Sequence, residues 1–219
     1  MDLRYIVGIV VFATLAVAAG IMLPAGKQPP MPMQPWQVTT NPDGSTSVFG
    51  LWLGKSTLQQ AEQAFRSQAQ VTLFQSAKDN SPGKIEAFFD RVNVRGLSAR
   101  VVMVLDVTPE QFQAMYDRGV RISTLGDGSR KITLSGEDRR RVRQAVIDSI
   151  TYLPPIRLET QWIRQRFGEP AQKVSDNDGN VIHWLYPDKG LDVVLDEQGN
   201  AVLQYVSPSD FAQLVAPLP

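Results

Sequence analysis

The chain has 219 residues, with 22 lysines and arginines balanced by 22 aspartates and glutamates, no cysteine and one histidine. Zero net charge lacks the basic excess that neutralising nucleic-acid phosphates requires, and the missing thiols exclude disulfides, thiolate catalysis, thiolate metal sites and a lipidated cysteine anchor. One imidazole, His183, excludes a multi-histidine metal centre, so neither a metal nor a small-molecule cofactor is expected, while 43% hydrophobic content suffices for one sizeable core or two small ones.

Residues 1–4 form a short segment ahead of an uncharged run, Tyr5 to Leu23, in which ten positions are Leu, Ile, Val or Phe. That length just spans a hydrocarbon core of roughly 30 Å, and it predicts a transmembrane helix over residues 5–23. Ala16-Val17-Ala18 carries the small-x-small pattern of a cleaved signal peptide as the competing reading. The apolar run continues past it through Ile21, Met22 and Leu23, which favours a retained anchor. Arg4 and the terminal amine, set against Lys27, orient the N-terminus inside. The expected placement is therefore a single-pass protein of the bacterial inner membrane, with residues 1–4 cytoplasmic and the C-terminal domain periplasmic. Residues 24–47 include Pro24, Pro29, Pro30, Pro32 and Pro35 and are expected as a Pro-rich linker of polyproline type.

Past the linker the reading is α+β, as two tandem units of one helix plus an antiparallel meander, over residues 48–119 and 151–219. The signal is an internal echo. Val107-Thr108-Pro109 followed by Phe112 and Met115 matches Val206-Ser207-Pro208 followed by Phe211 and Leu214. In each, a hydroxyl caps, proline takes the first helical turn, and the apolar pair makes a buried face. Each echo is preceded by an amphipathic helix ending in Phe, Thr57 to Phe65 and Glu159 to Phe167. Strand-like segments follow, Val71–Gln75, Lys84–Asn93 and Leu97–Val107 in the first unit. In the second they are Gln172–Ser175, Val181–Tyr186, Leu191–Asp196 and Ala201–Val206. Residues 120–150 are expected to connect the units. Arg121–Leu125 and Arg130–Leu134 flank the turn Gly126-Asp127-Gly128, and a helix capped by Ser135 runs to about Ser149 with Val142, Ala145, Val146 and Ser149 or Ile150 as its stripe.

Catalytic chemistry finds little support. His183 has Asp192 or Asp178 as a candidate orienter, but strand alternation puts His183 and Leu185 on one face and Trp184 and Tyr186 on the other, and no serine sits in a nucleophile elbow. Asp176 to Asn180 lacks the alternating ligand series of a calcium loop and reads as a hairpin turn. Glu86 with Asp90, or Asp192, Asp196 and Glu197, are the carboxylates available for glycosidase-like work. The most unusual charge run is Arg139, Arg140, Arg141 and Arg143. It opposes the favourable field at a helix N-terminus and reads as a solvated face or as a contact site for an acidic partner or anionic lipid. Trp184 and Tyr186 are the aromatic candidates for interaction, although most such groups belong to cores.

Several of these residues carry a likeness. The helix end Arg166-Phe167-Gly168-Glu169-Pro170, the turn Asp178-Gly179-Asn180 before His183-Trp184-Leu185-Tyr186, and the strand Leu191–Asp196 closed by Glu197-Gln198-Gly199-Asn200 resemble the SmpA/OmlA family, whose members include the small barrel-assembly lipoprotein of the bacterial outer membrane, and the related fold of the β-lactamase inhibitor proteins. Leu51-Trp52-Leu53-Gly54-Lys55-Ser56-Thr57 is similar to that family's helix start. The chain departs from it in lacking cysteine and in having Pro154-Pro155 where a glycine opens the family's helix. The resemblance implies a non-catalytic scaffold that grips proteins through sheet and loop surfaces. The expected function is a membrane-anchored periplasmic protein-interaction module in envelope assembly or maintenance, attached through residues 5–23. A tethered envelope hydrolase using paired carboxylates and a secreted inhibitor-like protein are the alternatives.

Overall fold

The computed structural model describes residues 34–41, 43–77, 83–94, 96–176 and 179–219. The expected transmembrane helix, residues 5–23, lies outside them. Among the described residues no helix is long and apolar enough to cross a membrane. The longest of them, Pro109–Asp117, has nine residues, or about 14 Å against roughly 30 Å of hydrocarbon. The single-pass inner-membrane assignment is corrected on that finding.

The described chain opens with a small antiparallel sheet, β1 (Thr39–Thr40), β2 (Thr46–Val48) and β3 (Leu51–Trp52), followed by α1 (Leu58–Phe65). Thr57 and Gln60 close α1 with reciprocal side-chain bonds to each other's backbone N–H groups. Next come β4 (Gln70–Gln75), β5 (Lys84–Val94), β6 (Leu97–Asp106), α2 (Pro109–Asp117), β7 (Arg121–Thr124), β8 (Arg130–Thr133) and α3 (Gly136–Val142). The chain finishes with β9 (Val146–Leu153), α4 (Thr160–Phe167), β10 (Gln172–Ser175), β11 (Val181–Tyr186), β12 (Leu191–Asp196), β13 (Ala201–Tyr205) and α5 (Phe211–Val215).

The expectation of two tandem units gives way to one sheet. β4 to β13 form a single antiparallel sheet of ten strands in the order β10-β11-β12-β13-β9-β6-β5-β4-β8-β7. The strand that fuses the two meanders is β9, paired to β6 on one side and to β13 on the other. Half of β9 falls where the sequence suggested helix: α3 stops at Val142, and Val146–Leu153 is extended. The strand carries a bulge. The register of β9 against β6 shifts at Asp148, so Ile147 pairs with Leu105 and Ile150 with Met103. Two core residues three apart thereby share one sheet face, and the expected stripe of Val142, Ala145, Val146 and Ser149 or Ile150 runs from a helix end through a turn into this strand.

Helices α1 to α4 cover one face of the sheet. Phe65 of α1 meets Phe89 edge-on at 5.1 Å and Phe49 at 5.6 Å. Phe167 of α4 packs on Tyr186, and Phe112 and Met115 of α2 and Val142 of α3 join the same buried cluster. Trp36 meets Trp162 edge-on at 5.1 Å with Arg166 stacked against both, and the buried Tyr205 hydroxyl donates to the Pro35 carbonyl at 2.8 Å. The segment before β1 is thus fastened to the sheet within what was expected to be linker. The other sheet face carries the row Phe88–Val102–Thr151–Gln204–Asp192–Leu185, of which Phe88, Val102, Thr151 and Gln204 are half-buried while Asp192 and Leu185 are buried.

Candidate functional site

An open sheet has two edges, and here they differ in chemistry. The edge at β10 follows the usual protective pattern: Gln172, Lys173 and Ser175 are exposed polar residues, and no large apolar side chain of the strand is exposed. The edge at β7 does not. Val120 is 67% exposed, Ile122 51% and Leu125 39%. Three of the six exposed large apolar residues among those described therefore lie on or beside a single four-residue strand.

The local sequence explains how this edge is built. Gly119 ends α2 so close to β8 that a Cβ on it would lie 2.4 Å from the Ile132 Cγ2, so only glycine lets the chain turn from helix into β7. Gly128 at φ +82° completes the hairpin loop, and Asp127 accepts from the N–H and hydroxyl of Ser129. The roots of the hairpin are clamped together. Arg118 donates from Nη2 and Nε to the two oxygens of buried Asp138 at 2.6 and 3.2 Å, while the Ser135 hydroxyl donates to Asp138 Oδ2 and accepts from its N–H. The Arg118 guanidinium, with further help from Ser135, holds the Asp138 carboxyl below the usual carboxylate range. Its stabilising effect is accordingly present above the ordinary carboxylate pKa and is lost as pH falls through the depressed value.

Register then assigns the edge's two faces. Ile122 pairs with Ile132 on the core side of the sheet, and Arg121 and Ser123 pair with Thr133 and Lys131 on the other. Leu125 donates its N–H inward to Ser129, so the alternation of an antiparallel ladder turns the N–H groups of Ile122 and Thr124 outward. Between residues 120 and 134 the cations are Arg121, Arg130 and Lys131 and the only anion is Asp127.

The residues singled out from sequence do not converge. Arg139 and Arg140 are exposed beside a groove of about 370 Å³ bordered by Glu62, Gln68 and Val71. Arg141 pairs with Glu137 one helical turn back, and Arg143 donates to Glu62 at 2.6 Å, tying α3 to α1. Trp184 and Tyr186 are buried. The Trp184 ring lies under the Lys173 ammonium at 3.8 Å and the Arg164 guanidinium at 5.4 Å, on the floor of an open groove of about 930 Å³. Tyr186 donates its hydroxyl to the Gly168 carbonyl, and burial pushes its pKa up to about 12.

Four of the five carboxylates proposed for hydrolysis are engaged separately, Glu86 with Lys84, Asp90 with Arg91, Asp192 with His183, and Asp196 with the backbone of its own turn at Gln198 and Asn200, and Glu197 is exposed. His183 Nδ1 lies 2.7 Å from Asp192 Oδ2. Its ladder neighbours are Val174 and Val194, with Val202 next in the row, so no nucleophile stands in that row. Asp178 lies outside the described residues, among which no cluster of three metal-ligating side chains occurs.

The edge at β7 escaped the sequence reading, although its hairpin was legible. Nothing in a linear sequence says which strand will have no neighbour. No family model matches the chain, and no curated protein or solved structure is significantly similar to it.

Proposed function

We propose that this chain is a non-catalytic protein-interaction module that engages its partner at the β7–β8 hairpin. The observation that carries the reading is the contrast between the two edges of one sheet. Both edge strands have four residues and one unpaired side, but β10 presents exposed polar groups, whereas β7 has exposed Val120, Ile122 and Leu125 on or beside it. Exposed backbone next to exposed apolar side chains is the arrangement that accepts a further strand. Clamping by Arg118 and Asp138 favours binding, because a preformed edge loses little conformational freedom when it is occupied.

Thr124→Pro tests this reading. It removes an outward N–H while sparing the inward ladder, and proline is tolerated on an edge strand in that orientation. With a photo-crosslinking residue placed at Arg121 of the full chain in its native cells, a discrete protein adduct is expected that disappears in Thr124→Pro while the thermal midpoint stays put. An adduct pattern unchanged by the substitution contradicts the reading.

A further inference from the structure

Resting on that reading, we infer that the occupant of the β7 edge is an extended peptide segment that alternates acidic and apolar residues, added as an eleventh strand. The two faces of β7 dictate the alternation. An added strand places every second side chain beside Ile122 on the core side, where an apolar group extends the contact with Ile132 beneath. Its remaining side chains fall beside Arg121 and Ser123, with Lys131 one strand further in, and there a carboxylate finds two exposed cations. Cross-strand pairs of opposite charge and of apolar groups both favour that register, while a basic residue opposite Arg121 is disfavoured.

A second copy of the chain is a poorer occupant. Edge-to-edge pairing of two β7 strands would gather two sets of Arg121, Arg130 and Lys131 around one seam, and like charges brought together oppose association. The opposite edge carries Lys173 and no exposed acid on β10 itself, so a head-to-tail stack of sheets gains no charge complement either.

The experiment uses the full chain and a fluorescent peptide of about ten residues alternating Glu with Val or Ile, a length that covers β7 and its flanks. A matched peptide carries Lys in place of Glu, and binding is read by anisotropy. The acidic peptide is expected to bind and the basic one not. Arg121→Glu with Lys131→Glu should weaken the acidic peptide on the order of ten-fold and transfer the preference to the basic one, since both cross-strand pairs change sign. Thr124→Pro should abolish binding of either, and the affinity for the acidic peptide should fall as salt rises.

Equal binding of both peptides, or indifference to the charge reversal, overturns the inference. If the cellular adduct still depends on Thr124 in that event, the protein-interaction reading stands without it. An adduct indifferent to Thr124→Pro sinks the reading itself. Sedimentation that reveals a dimer lost in Thr124→Pro overturns the inference in favour of self-association.

Discussion

Replacing Ile150 by alanine is expected to lower the free energy of unfolding by about 3–5 kcal/mol, near the top of the range for buried aliphatic truncations. Ile150 is fully buried and sits mid-strand in β9, opposite Met103 of β6 and Tyr205 of β13, so the cavity opens where the two meanders meet. The same placement predicts one cooperative transition. Trp52 reports from the first half of the chain and Trp184 from the second, and in urea both should move together in the wild type and in Ile150→Ala. Separate midpoints would show that β9 does not join the halves into one folding unit.

The second large effect concerns His183 and Asp192. Asp192 is 2% exposed, one oxygen meets His183, and Oδ1 has no hydrogen-bond partner among the described residues. His183→Ala is expected to cost roughly 3 kcal/mol, because it strands a buried carboxylate. His183→Leu with Asp192→Leu should restore most of that loss, since apolar replacement of a buried pair is often neutral or better.

The pH dependence has a definite sign. Burial raises the Asp192 carboxyl above its ordinary value, with the His183 hydrogen bond pulling the other way less strongly. A raised native pKa means that the folded chain holds this proton more tightly than the unfolded one. The contribution is therefore fully present below the ordinary value of 3.8 and is lost as pH rises through the raised native value. In acid titrations by urea denaturation, the stability of the wild type relative to Asp192→Asn should decline across that window as pH increases. A rise would contradict the assignment.

What the sequence disclosed follows from how local each signal is. The caps at Thr57 and Thr108, the hairpin around Gly126-Asp127-Gly128 and the alternation in β11 to β13 all depend on neighbours within a few residues, and the structure shows helices and strands there. β9 was misread because Val142, Ala145, Val146 and Ile150 keep helical spacing across the end of α3, a turn and the bulged start of β9. β2 was hidden for another reason. Ser45, Thr46 and Ser47 are buried, and a buried run of small polar residues leaves no hydrophobic periodicity to detect. Arg143 looked like one more cation in a run, yet its partner Glu62 lies 81 positions away. The candidate site was the least legible part. Nothing in the hairpin's own residues marks Ile122 and Leu125 as exposed, and only the order of all ten strands reveals that β7 has a single neighbour.

The most direct measurement is amide hydrogen exchange on the full chain, alone and with its crosslinked partner or the acidic peptide present. The outward N–H groups of Ile122 and Thr124 should exchange rapidly in the free protein and become protected on binding, while those of β10 stay unchanged. Protection that appears elsewhere and leaves these two amides fast would mean that β7 is an ordinary exposed edge and that recognition happens on another surface.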